Sequence, residues 1–143
     1  MVLNVTVSAP NQSPWNALAE KVIITSTTGQ IGILSGHASM VTTVDIGMLL
    51  VETVENEWIP IIAFNGIAVV NKNDLQILVN NYETAPKITE QAAEEELRKA
   101  LENLEDTKNN NKLNKVFLSQ KVKAASSRLI AIQILNKKKV PFN

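Results

Sequence analysis

The apolar residues of this chain change their spacing once, near Thr84, and that change limits what each part can fold into. Before it, Leu3, Val5 and Val7 alternate with polar residues, the period of a half-buried strand. Residues 21–27 form a β-branched run through Val22, Ile23, Ile24 and Thr25, side chains that fit a pleated surface. Residues 46–53 and 58–64 are predicted strands meeting at Glu55-Asn56-Glu57. Pro60 cannot donate to a ladder, so its strand is expected to be an edge or bulged there. Asn65-Gly66 then divides two apolar runs. A type I′ hairpin is the first expectation, because both turn positions need positive φ, and a bend within one long strand is the second. Asn71-Lys72-Asn73-Asp74 reads as a further turn before a strand at 75–79. Short strands punctuated by turns, with no helical stretch among them, predict a β-sandwich or flattened barrel over residues 1–84.

Beyond Thr84-Ala85-Pro86-Lys87 the spacing is helical. Thr89 is a candidate N-cap, and Glu90, Glu94, Glu95 and Glu96 crowd the early turns where the helix dipole favours acids. Ala93, Leu97, Ala100 and Leu104 recur four, three and four residues apart. A break is expected at residues 108–112. A second stripe follows through Leu118, Val122, Ala125, Leu129 and Ile132. Two matched seams joined by a short polar loop predict an antiparallel two-helix hairpin over residues 85–143. Isolated helices of this length are marginal in water, so the hairpin is expected to lean on other surfaces or to occupy more than one docked state.

Charge follows the same division. Residues 1–84 hold seven acids and two bases, whereas from Leu113 onward there are seven bases and no acid, which points to an acidic partner for the C-terminal part. Catalytic chemistry is poorly served. Without cysteine and with His37 as the one histidine, neither a Cys-His site nor a multi-histidine metal site can be built. Ser39 lies near His37 without a third orienting group, and Gly29-Gln30-Ile31-Gly32 lacks the Lys of a phosphate loop. The expectation is no catalytic residue, no metal and no cofactor. With only 4% aromatic residues, base-stacking platforms are not expected either, nor a nucleic-acid partner. No apolar run reaches the roughly 20 residues of a membrane-spanning helix. The alternating N-terminus reads as a strand, not as a signal or transit peptide.

The most specific stretch is contiguous: residues 26–38, Ser-Thr-Thr-Gly-Gln-Ile-Gly-Ile-Leu-Ser-Gly-His-Ala, followed by Thr42 and Asp45-Ile46-Gly47. It closely resembles the signature of ATP synthase epsilon subunits. Leu34-Ser35-Gly36-His37-Ala38 and Glu57-Trp58-Ile59-Pro60-Ile61 are similar to the chloroplast and cyanobacterial branch. Gly66-Ile67-Ala68-Val69-Val70 and Leu75-Gln76-Ile77-Leu78-Val79 resemble the family's second block, and residues 11–15 its early turn. The resemblance covers residues 3–84 strongly and the helical segment by layout, with Ala124-Ala125-Ser126-Ser127-Arg128-Leu129 similar to the family's ending.

That resemblance implies a sandwich of about ten strands bound to the gamma subunit on one side and to the membrane c-ring on the other. Gly29, Gln30, Ile31 and Gly32 would form the c-ring contact, with His37 in a neighbouring loop. The two helices would be a regulatory arm that folds beside the sandwich or extends toward the alpha/beta hexamer and inhibits ATP hydrolysis, with Lys115, Lys121, Lys123 and Arg128 as its basic face. The chain would thus be a non-catalytic central-stalk component coupling proton-driven rotation to ATP synthesis. It would meet the membrane only through the c-ring, on the stromal side of the chloroplast thylakoid or on a cyanobacterial thylakoid. The lysine and asparagine bias favours a chain made inside the organelle. Two departures stand out: Ser39 replaces the family's Pro and is expected to loosen the His37 loop, and Asn65 replaces a Gly. Ile88-Thr89-Glu90-Gln91-Ala92-Ala93 lacks the Asp and Arg of the family's ATP-binding motif, so nucleotide sensing is not expected, and residues 137–143 match nothing in the family. A free-standing adaptor docking a partner helix, and a hydrolase, are the competing readings. Copurification with a rotor would separate the first from the family reading, and turnover by the isolated chain would identify the second.

Overall fold

A computed structural model describes residues 2–84, 89–106 and 112–137. The chain divides into two compact units, residues 1–84 and 85–143. The first holds seven strands: β1 (Leu3–Ser8), β2 (Trp15–Ser26), β3 (Gly29–Leu34), β4 (Met40–Val44), β5 (Gly47–Thr53), β6 (Trp58–Asn71) and β7 (Asp74–Glu83).

Pairing closes on itself in the order β1-β7-β6-β5-β2 and back to β1, a circuit that leaves β3 and β4 as additions on β2 and β6. β1 and β7 run parallel, and the other pairs are antiparallel. Three long strands each serve two sheets. The first half of β2 pairs β1, while its second half lies between β5 and β3. The first half of β6 pairs β5 and its second half pairs β4, with β7 alongside throughout. β7 meets β1 only over its first five residues. One sheet is therefore β3-β2-β5-β6-β7 and the other β2-β1-β7-β6-β4. Counting β2, β6 and β7 in both sheets turns seven strands into ten segments, which is how the expected number is reached.

Each crossing leaves a mark in the burial pattern. Core-facing positions on β2 are odd up to Ala19 and even from Val22 to Ser26, and the β2–β5 register shifts between Ala19 and Lys21. An extra residue on one strand reverses which side chains face inward, as a β-bulge must. On β6, Ile61 and Ala63 face the core first, then Ala68 and Val70, and on β7 the switch falls between Val79 and Tyr82. The buried set, led by Leu3, Val5, Ile24, Ile33, Leu49, Ile61, Leu75 and Ile77, fills the space between the two sheets.

Asn65-Gly66 is thus the bend of one continuous strand and not a hairpin turn. Asn65 has φ +52°, which asparagine tolerates, and a Cβ on Gly66 would lie 1.9 Å from the Leu78 carbonyl oxygen. The missing side chain lets β6 and β7 curve together in contact. The type I′ pair is Lys72-Asn73 instead, both with positive φ, joining β6 to β7. Pro60 fits the edge expectation: the β7 ladder ends at Ile62 opposite Glu83, leaving Pro60 flanked by β5. The early turn is clamped from afar. The Gln12 amide donates to the Tyr82 carbonyl at 3.1 Å and accepts from the Tyr82 N–H at 3.3 Å, while the Tyr82 hydroxyl donates to the Ser13 carbonyl.

The second unit holds α1 (Glu90–Asp106) and α2 (Lys112–Lys137). Thr89 caps α1, its hydroxyl accepting from the Ala92 N–H at 3.1 Å. Polar contacts pair Glu96 with Arg128 and Glu90 with Gln133 and Asn136, so residue numbers fall on one helix as they rise on the other and the pair is antiparallel. In the expected stripes Ala93, Ala125 and Ile132 are buried, and Leu97, Ala100, Leu104, Leu118, Val122 and Leu129 are half-buried. Ser127, buried beside them, satisfies its hydroxyl on the Lys123 carbonyl at 2.7 Å. The period change at 85–88, most of the break at 108–112 and the tail at 138–143 fall outside the described residues.

Candidate functional site

No group of three or more His, Cys, Asp or Glu side chains comes together among the described residues. No described helix is long and apolar enough to cross a membrane. What the sandwich offers is surface.

The registers assign its outer faces. On the β2-β1-β7-β6-β4 sheet, Val41 lies opposite Val69 and Ile67 opposite Leu78, while Val69 and Ile67 are two apart on β6. These four side chains form one contiguous apolar patch. Val41 is 68% exposed, Leu78 44% and Ile67 42%, and Val69 is half-buried. Thr43, Gln76, Thr6 and Ser8 border it in the same rows. A shallow groove runs along its edge, lined by Ser39, Met40, Val41, Val69 and Asn71. Sequence reasoning did not find this patch, since alternation alone does not say which of two faces a partner covers. The signal was there in Val41, Ile67 and Leu78, apolar residues at the polar phase of their strands.

The five expected c-ring residues do not share one end. Gly29 sits in the β2–β3 turn with φ +127°, and Gln30 and Gly32 are exposed along β3. β3 then carries the chain to Leu34, about 17 Å away at the usual rise of a strand. The His37 N–H donates to the Leu34 carbonyl, so His37 lies at the far end of β3 and not in a loop neighbouring Gly29. There the Gly36 N–H donates to Asn73 Oδ1 at 2.6 Å and the Ser39 hydroxyl to Asn71 Oδ1 at 3.2 Å. Ser39 therefore ties the loop to the β6–β7 turn where loosening was expected. His37 Nδ1 lies 2.7 Å from the Ala38 carbonyl.

The basic residues of α2 are likewise dispersed. At about 100° per residue, Lys121 and Arg128 fall on one line, while Lys115 and Lys123 lie elsewhere on the helix. A single basic face is not formed, because spacings of six and two do not match the helical repeat. Lys115, Lys121 and Lys123 are exposed, and Lys121 Nζ stands 4.8 Å from the centre of the Phe117 ring. Arg128 is different: its Nη1 lies 2.7 Å from Glu96 Oε1, with the two side chains 24% and 42% exposed. On α1, hydrogen bonding to Arg98 holds the Glu95 carboxyl below the usual carboxylate range and raises the Arg98 guanidinium in turn.

Against known proteins, the model of the family described as "ATP synthase, Delta/Epsilon chain, beta-sandwich domain" matches residues 2–85. The chain is 42% identical over 135 residues to the chloroplastic ATP synthase epsilon chain of Gracilaria tenuistipitata var. liui, covering 94% of this chain and 98% of that one. It is 38% identical over 131 residues to the ATP synthase epsilon chain of Synechococcus elongatus, covering 92% and 95%. Among solved structures, a chain of the Euglena gracilis mitochondrial ATP synthase shares the fold at 16% identity with a TM-score of 0.75, over 92% of this chain and 81% of that one.

Proposed function

This chain belongs to the ATP synthase epsilon chain family, and from that premise we propose that it works as a non-catalytic central-stalk subunit of a chloroplast-type enzyme, fixing the gamma subunit to the c-ring and restraining ATP hydrolysis with its helical hairpin. One observation carries the reading: the apolar patch of Val41, Ile67, Val69 and Leu78, set on a closed and otherwise polar sheet face. Burying it against gamma removes apolar area from water at roughly 25 cal/mol per Å². A closed barrel resists shear, which suits a part that must pass rotation on.

The c-ring contact is assigned to the β2–β3 turn, with Gly29, Gln30, Ile31 and Gly32. Gly29 holds a positive φ that other residues rarely adopt, and nothing crowds it, so another backbone can approach closely. His37 belongs to the opposite end of β3. Contact with the membrane is indirect, on the stromal side of the thylakoid. The hairpin acts on the alpha/beta hexamer, with α2 as the reaching element, because its Lys115, Lys121, Lys123 and Arg128 are matched by no acid on the same helix.

The test is reconstitution. Purified full-length chain is added to a chloroplast-type ATPase stripped of its own epsilon chain. Hydrolysis is expected to fall, with one copy retained per complex. The variant with Lys115, Lys121, Lys123 and Arg128 all changed to Ala is expected to be retained equally while inhibiting at least fivefold less. Full inhibition by that variant would reject the hairpin's part, and failure of the wild-type chain to be retained would reject the whole assignment.

A further inference from the structure

The two helices carry opposite charge almost without mixture. α1 has seven acids and two bases, whereas α2 has six bases and no acid. Every carboxylate that α2 meets within the hairpin therefore comes from α1. Glu96 holds Arg128, and Glu90 receives the side-chain amides of Gln133 and Asn136 at 3.4 Å each. If the helices part, α2 loses all of its counter-charge at once. An open arm of this composition needs carboxylates from somewhere else.

Arg128 is where the two demands meet. Its guanidinium is the strongest cross-hairpin contact, and it lies on the same line of α2 as the exposed Lys121, seven residues away. A planar guanidinium binds carboxylates through fixed, directional donors, so what it gives to Glu96 is withheld from an outside acid. We propose that the hairpin opens by carboxylate exchange: Arg128 leaves Glu96 for a carboxylate on an acidic polypeptide partner, and the side chain that closes the hairpin then holds α2 in its inhibitory position. This rests on the reading of the hairpin as a restraint on hydrolysis, and it names the contact that sets how readily the restraint engages. No bond is made or broken beyond the ion pairs.

Exchange makes a prediction that a purely structural bridge does not, because removing either end of the pair loosens the hairpin, yet only one end is used by the partner. Full-length Glu96→Gln and Arg128→Gln are compared with wild type by amide hydrogen exchange along α2 and by the concentration that half-inhibits an epsilon-depleted chloroplast-type ATPase. Both variants are expected to speed α2 exchange up to about fivefold, the range of a partly exposed pair. Glu96→Gln is expected to inhibit at about threefold lower concentration, and Arg128→Gln to need at least fivefold more. The double variant Glu96→Arg with Arg128→Glu restores α2 exchange to within twofold of wild type and still inhibits as weakly as Arg128→Gln. Inhibition shifting in the same direction for both single variants, or in neither, overturns the exchange, as does unchanged α2 exchange in both. If the wild-type chain itself leaves hydrolysis untouched, the restraint reading fails first and the exchange falls with it.

Discussion

A methyl group on Gly66 would have to occupy space 1.9 Å from the Leu78 carbonyl oxygen and 2.7 Å from the Val79 Cα, both backbone atoms of a strand that cannot step aside. Gly66→Ala is therefore expected to destabilise the sandwich by about 3 kcal/mol, at the upper end of overpacking effects, read as a lower urea midpoint. Gln12 is exposed in its turn but satisfies both backbone groups of Tyr82, which is only 8% exposed. Gln12→Ala leaves that N–H and C=O unpaired and is expected to lose about 1–3 kcal/mol, whereas Gln12→Glu, which keeps an acceptor, loses the carbonyl contact alone. At Glu95 the relevant variable is pH. Its carboxyl is held below the usual 4.5 by the Arg98 hydrogen bond, so the folded helix binds its proton less readily than the unfolded chain does. That contribution to α1 is complete above the ordinary carboxylate range and is lost as pH falls through the lowered value. Amide signals of residues 92–99 followed during acid titration are expected to show α1 fraying there, and Arg98→Gln is expected to move the fraying to higher pH.

At the scale of elements, the sequence disclosed period more faithfully than connection. β1, β5 and the apolar half of β7 were legible because Leu3-Val5-Val7, Leu49-Val51 and Leu75-Ile77-Val79 keep one phase from end to end. Asn65-Gly66 was misread because turn preference is a local property and the alternative, one long strand crossing between sheets, depends on β7 lying alongside. The phase switch from Ile61 and Ala63 to Ala68 and Val70 was a sign of that crossing. His37 was misplaced for a related reason: eight residues from Gly29 is close in sequence, but a six-residue strand lies between. The helices were legible from their caps and stripes. Thr89→Ala removes the acceptor for the Ala92 N–H and is expected to weaken α1 by about 1 kcal/mol, seen as faster amide exchange in its first turn only. The charge division between α1 and α2 was visible in the sequence, but the Glu96–Arg128 pairing was not, because nothing local fixes which residues face each other across a hairpin.

At the scale of the whole molecule, the two units divide the work. The sandwich is held by a closed circuit of strands with its core between two sheets, and it presents one apolar patch outward. The hairpin is narrow and rich in alanine, and opposite charge draws its helices together. A rigid platform and a weakly held arm are what a stalk subunit with a regulatory role requires, and both follow from the change of period at Thr84. The platform is the part on which the rest depends, and its docking face gives the most direct test. Ile67→Lys combined with Leu78→Lys places two ammonium groups where apolar contact is needed, at sites exposed enough to leave the core intact. Affinity of this full-length variant for the gamma subunit is expected to fall at least 100-fold, about 2.7 kcal/mol, with its urea midpoint unchanged. Binding as tight as wild type by a folded variant would contradict the assignment of this face as the seat of the stalk.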